Sequence, residues 1–192
     1  MGGLYEYGWG VGQDFVEAAK WVRKAAVQGD RTAESNLAFL YETGRGVPRD
    51  DTEAAKWYRR AADQGFAVAE ASLGRMYLRG QGVEKNDAEA MKLMEKAAEQ
   101  GYGPAEFSLA AMYRDGVGTP KDGAQALKWF MKAADQGDAV AERQIAIMFQ
   151  YGLAVDQDKS QALVWYQRAS DHGDAPAKAE LAKLKSSTAP SP

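Results

Sequence analysis

No cysteine occurs among the 192 residues, and histidine occurs once, at His172. The first absence removes disulfides, thiolate metal sites and cysteine nucleophiles together. The second leaves histidine-clustered metal sites and Ser-His constellations little to build on. No apolar run approaches the roughly 18 to 20 residues a membrane-crossing helix needs. The opening MGGLYEY has neither the basic start nor the apolar core of a secretory leader. Positive charge is not in excess either: 24 basic residues face 27 acidic ones spread along the chain, so no footprint for nucleic acid is visible. What remains is the composition expected of a water-soluble chain, 45% hydrophobic and 27% charged. It leaves the compartment open between the cytoplasm and, given a leader upstream, the periplasm or exterior.

What is present is repetition. AAKWVRKAAVQGD begins at Ala18, AAKWYRRAADQGF at Ala54, AMKLMEKAAEQGY at Ala90, ALKWFMKAADQGD at Ala126 and ALVWYQRASDHGD at Ala162, each 36 residues after the last. A fixed period without slippage is the mark of stacked supersecondary units. Between these phrases lies a second recurring unit, as in AESNLAFLYETGRGVPRD from Ala33. Ala33, Leu37, Leu40 and Tyr41 follow the spacing of one helical face and predict helix A over 32–43. Ala54, Trp57, Tyr58 and Ala61 predict helix B over 51–64. An N-cap pattern precedes every B helix: Asp14/Glu17, Asp50/Glu53, Asn86/Glu89, Asp122/Gln125 and Asp158/Gln161. The short side chain should cap the first turn while the Glu or Gln reaches back. Gly29, Gly65, Gly101, Gly137 and Gly173 should stop the B helices, with Pro104 and Pro176 in the first turn of the next A helix. Gly8, Gly44, Gly80, Gly116 and Gly152 mark the A-to-B turns. Alanine in all five copies of the Ala54 and Ala61 columns, and only Gly or Ala in the Ala38 column, implies closely packed helices.

Helix A ending Leu-Ala-x-Leu-Tyr-x-x-Gly-x-Gly-Val, an acidic cap, helix B reading Ala-x-x-Trp-Tyr-x-x-Ala-Ala-x-Gln-Gly, then Ala-x-Ala-Glu: this resembles the Sel-one-like repeat, a relative of the tetratricopeptide repeat, over about residues 4–184. The resemblance implies an all-α, right-handed solenoid of helix-turn-helix units with A helices lining the concave side, and an adaptor or scaffold role in protein complexes, often in bacteria. Residues 1–185 are expected to form the array and residues 186–192 a disordered tail. Because residues 4–11 match residues 40–47, the sequence begins inside a repeat and is expected to be part of a longer protein. Departures fall at Ala154, in place of a turn glycine, and at Lys183 and Lys185, expected to be a polar cap on the last helix.

Signals for other chemistry dissolve on inspection. GWGVG at residues 8–12 belongs to the turn column and lacks the following Gly-Lys-Ser/Thr of a phosphate loop. Penicillin-binding and β-lactamase-like activities attributed to cysteine-rich relatives would call for cysteine pairs or for Ser-x-x-Lys and Lys-Thr-Gly, and the chain has none of these. His172 stands in the column of Gln64, Gln100 and Gln136 and reads as a polar helix-end residue. Trp21, Trp57, Trp129 and Trp165 share one B-helix column and read as core, whereas Trp9 sits in a variable turn position. No enzyme activity, cofactor or metal is expected.

Columns that vary on an otherwise constant helix A are free of packing duty and available for recognition. They hold Asn36, Phe39 and Thr43; Ser72, Arg75 and Arg79; Ser108, Ala111 and Asp115, beside Arg114; Gln144, Ile147 and Tyr151. Aromatics and arginine are the types that dominate interface hot spots. The expected function is therefore protein or peptide binding along the A-helix surface, with Arg75 and Arg79 as a basic pair for a carboxylate. The alternative is a spacer or a piece of a longer solenoid that self-associates through its N-terminal edge.

Overall fold

The computed structural model describes residues 14–188. The expectations for the turn at residues 8–12, Trp9, the match at residues 4–11 and the last four residues lie outside that range. Ten helices and no strands are found among the described residues: α1 (Phe15–Ala26), α2 (Arg31–Thr43), α3 (Asp51–Asp63), α4 (Ala67–Arg79), α5 (Asp87–Glu99), α6 (Gly103–Asp115), α7 (Gly123–Asp135), α8 (Ala139–Tyr151), α9 (Lys159–Asp171) and α10 (Ala175–Thr188). Even-numbered helices are the A helices and odd-numbered ones the B helices. The chain divides into two compact units, one ending at Tyr102 and one beginning at Gly103.

Inside each unit every complete A helix packs most extensively on the B helix that follows it and less so on the one before. The alanine columns permit this closeness. Ala54, Ala61, Ala90 and Ala97 in the first unit, and Ala126, Ala133, Ala162 and Ala169 in the second, have no exposed surface. At Gly74, an added methyl would meet the Met94 Cε at 3.2 Å and the Ala90 carbonyl at 3.3 Å, so the smallest residue stands where the neighbouring B helix carries methionine. Trp57 and Trp129 are buried as expected, while Trp21 and Trp165 are only half-buried.

The B helices start as predicted. Asp14, Asp50, Asn86, Asp122 and Asp158 all accept from first-turn amides. The reciprocal half of the capping box is corrected: Glu17, Glu53 and Glu89 face forward to Lys20, Lys56 and Lys92. The reason is that the cap's own N–H is already taken by the preceding A helix. Asp50, Asn86, Asp122 and Asp158 donate to the carbonyls of Tyr41, Tyr77, Tyr113 and Phe149 at 2.9–3.0 Å. These bonds fix the A-to-B corner, so the cap joins two helices as well as starting one. Gly29, Gly65, Gly101, Gly137 and Gly173 take the left-handed conformation expected of a helix stop.

The last helix continues to Thr188, three residues past the array end expected at 185. Lys183 and Lys185 both lie exposed on it. Lys178 is exposed where each earlier repeat buries a glutamate, whereas Lys183 occupies the already variable Phe39 column and pairs with Glu180.

Candidate functional site

Each A helix before the last carries one buried glutamate one turn from its start: Glu34, Glu70, Glu106 and Glu142 are at most 3% exposed. Each is met by the end of the B helix that follows it. Gln64, Gln100 and Gln136 donate to Glu34, Glu70 and Glu106 at 2.6–2.8 Å, and His172 places Nδ1 2.9 Å from Glu142. Arg60 Nε approaches Glu34 at 2.9 Å while its guanidinium lies over the Trp57 ring, and Arg168 repeats the arrangement between Glu142 and Trp165. Burial pushes the carboxyl pKa of Glu70 and Glu106 up, against the opposing pull of Lys96 and Lys132. These polar clusters lock A to B around buried carboxylates. His172 is thus the helix-end residue expected, with a buried carboxylate as its partner.

The variable columns of the first unit lie on α2 and α4. Asn36, Phe39, Thr43 and Arg79 are exposed and Ser72 is half-buried. Phe39 keeps 43% of its surface exposed. Arg75 and Arg79 do not act as a pair. Arg75 Nη2 binds Glu42 at 2.9 Å, and the Tyr58 hydroxyl donates to the same carboxylate at 2.9 Å. The carboxylate expected from a partner is supplied by the chain itself, and among the described residues Arg79 alone of the two lacks one. Glu42 was legible as part of a fourth variable column, Glu42, Leu78, Arg114 and Gln150, of which only Arg114 was singled out. That column answers the B helix behind it: Tyr58 meets Glu42, Tyr166 meets Gln150 at 2.6 Å, and Phe130 lies under the Arg114 guanidinium.

In the second unit the columns lie on α6 and α8. Ser108 is half-buried and its hydroxyl turns back to the Pro104 carbonyl. Arg114 holds Asp115 through two bonds of 2.8 Å and Gln144 through a third, so these three candidates form one network. Ile147 and Tyr151 come together in a hollow of about 360 Å³ against α10. Tyr166, Pro176 and Ala179, which share that hollow, come from a B helix and from the last A helix, and sequence reasoning over single helices missed them. Among the described residues no group of three or more His, Cys, Asp or Glu side chains converges as a metal site, and no helix is long and apolar enough to cross a membrane.

Comparison with known proteins agrees with this architecture. The Sel1 repeat profile matches residues 1–30, 32–66, 67–102, 103–138 and 139–174. A Sel1 repeat protein from Oxalobacter formigenes is 35% identical, with a TM-score of 0.87 over 95% of this chain and 75% of its own. A protective antigen of uropathogenic Escherichia coli displaying an SLR fold is 31% identical, with a TM-score of 0.58 over 98% of this chain and 48% of its own. An immunity protein from Pseudomonas aeruginosa is 25% identical, with a TM-score of 0.53 over 83% of this chain and 58% of its own. Among curated proteins none matches. Five profile matches in tandem and the helical-repeat solenoid fold shared with the Oxalobacter protein lead to one conclusion: the chain belongs to the Sel1 repeat family.

Proposed function

We propose that the chain is a non-catalytic protein-interaction scaffold that receives its partner on the A-helix face of each unit. Sel1 repeat proteins are generally protein-interaction scaffolds. The observation that carries the reading is the contrast between columns. The recurring alanine columns of the B helices after the first and the recurring glutamates of the A helices before the last are buried, while two large residues of the variable columns, Phe39 and Tyr151, stay 43% and 63% exposed. Exposed aromatics at positions free of packing duty are the composition of an interface core. Arg79, which has no carboxylate partner among the described residues, adds a guanidinium to the first unit's face; charge reversal there tests carboxylate recognition better than at Arg75, where a glutamate would repel Glu42 and disturb the fold.

The test is site-specific photo-crosslinking in the source cell, with p-benzoylphenylalanine replacing Phe39, Tyr151 or, as a control on a B helix, the 60% exposed Val164. The scaffold reading expects a defined protein captured from position 39 or 151 and not from 164. Capture of the chain itself would favour self-association, and equal capture from all three positions would discard the A-face assignment.

A further inference from the structure

The hollow against α10 has a chemistry that the A-face reading does not specify. Ile147, Tyr166, Pro176 and Ala179 give it apolar walls, with Tyr151 at its margin. Its two charged members are already neutralised within the unit: Arg143 lies 3.0 Å from Asp174, and Glu180 holds Lys183 at 2.6 Å. The Tyr166 hydroxyl donates to Gln150. Burial, with Glu180 and Tyr151 nearby, pushes its pKa up to about 12, so it is a neutral phenol at physiological pH.

A charged side chain entering this space would lose its water and find both lining charges already paired, an unfavourable exchange. An uncharged apolar side chain would instead remove water from Ile147, Pro176 and Ala179, at a gain of roughly 25 cal/mol per Å² covered. The volume, about 360 Å³, lies within the range of small ligand pockets and exceeds what one side chain fills, leaving room for its backbone. We propose that the hollow is an anchor pocket for a protein segment presenting one bulky uncharged side chain of the leucine, methionine or phenylalanine class, with Tyr151 packing over it. The proposal rests on the scaffold reading and names the chemistry of its partner.

The first unit differs at the corresponding places, three repeats earlier. Phe39, Thr43 and Val68 stand for Ile147, Tyr151 and Pro176, and the Glu42–Arg75 ion pair stands for Gln150 and Lys183.

The experiment is selection of a random dodecapeptide phage library on the full chain, followed by fluorescence anisotropy of the enriched peptides. The expected motif contains one obligatory Leu, Ile, Met or Phe, and its replacement by Asp or Lys weakens binding about tenfold or more. Ala179→Trp, which fills the pocket, should abolish binding. Tyr151→Ala, at an exposed position that leaves the fold intact, should weaken it, and Val164→Glu, at an exposed position on a B helix, should leave it unchanged. An obligatory charged residue, no enrichment, or binding that neither Tyr151→Ala nor Ala179→Trp weakens would each overturn the pocket. Crosslinking from position 39 could still succeed in those cases, so failure of the pocket is distinguishable from failure of the scaffold reading.

Discussion

Glu70 shows what a single recurring residue does in this fold. Its carboxylate is 3% exposed and accepts from Gln100 at 2.6 Å, with Lys96 close enough to attract it but too far for an ion pair of the kind Arg60 makes with Glu34. Burial wins over both partners and raises the pKa above the ordinary 4.5. A carboxyl that holds its proton more tightly when folded contributes stability below its unfolded pKa and loses that contribution as pH rises through the folded value. Glu70→Gln keeps an acceptor for Gln100 and removes the buried charge. Its melting temperature relative to the parent chain should therefore rise between pH 4 and pH 7, in scanning calorimetry at fixed salt. A difference that shrinks over that interval would mean that Lys96 and Gln100 stabilise the ionised form more than burial penalises it.

Elements are joined by small residues whose missing methyl groups admit backbone. An added Cβ at Gly46 would lie 1.9 Å from the Phe15 carbonyl oxygen, and one at Gly82 would lie 2.0 Å from that of Asp51, so these turns rest on the start of the preceding B helix. The fourth turn breaks the rule with Ala154 at a φ of 63°. The compensation is Gly123, at the first position of α7, where a Cβ would fall 2.2 Å from the Ala154 Cβ. Glycine and methyl have changed sides of one contact. Gly123→Ala, which in an isolated helix would add up to about 1 kcal/mol, should instead cost about 1–3 kcal/mol through overpacking. Ala154→Gly should restore the loss, because it removes both the clash and the left-handed strain of about 1–2 kcal/mol. A double-mutant cycle in urea measures this directly; additive effects would show that the two residues do not share the contact.

Repetition made the helices and their ends legible in the sequence. Helix limits, N-caps and glycine stops recur five times, and repetition turns each weak local preference into a firm assignment. The predicted helices A and B, 32–43 and 51–64, end within one residue of those observed. The capping glutamates were misread because the competing acceptor, a carbonyl of the preceding helix, is not a local feature. The candidate site was legible as columns but not as contacts. Arg75 finds Glu42 and Ile147 finds Pro176 only once adjacent repeats are stacked, and these pairings involve residues that do not recur.

At the scale of the whole molecule, stability in a repeat array is a sum over neighbours, so an element with one neighbour opens more readily than an element with two. Within the second unit, α8 packs against both α7 and α9, whereas α10 packs against α9 and exposes Lys178, Ala182 and Lys185. Hydrogen exchange should show amides at the centre of α10, around Leu181, exchanging about tenfold or more faster than those around Ile145 in α8; equal rates would mean that the second unit opens as one cooperative body. The consequence reaches function, because α10 supplies Pro176 and Ala179 to the pocket. A ligand that bridges α8 and α10 binds only the closed arrangement, and it stabilises that arrangement by mass action. Saturation with a selected peptide should therefore slow exchange in α10 more than in α6, and a slowing confined to α6 would place the bound segment away from the pocket.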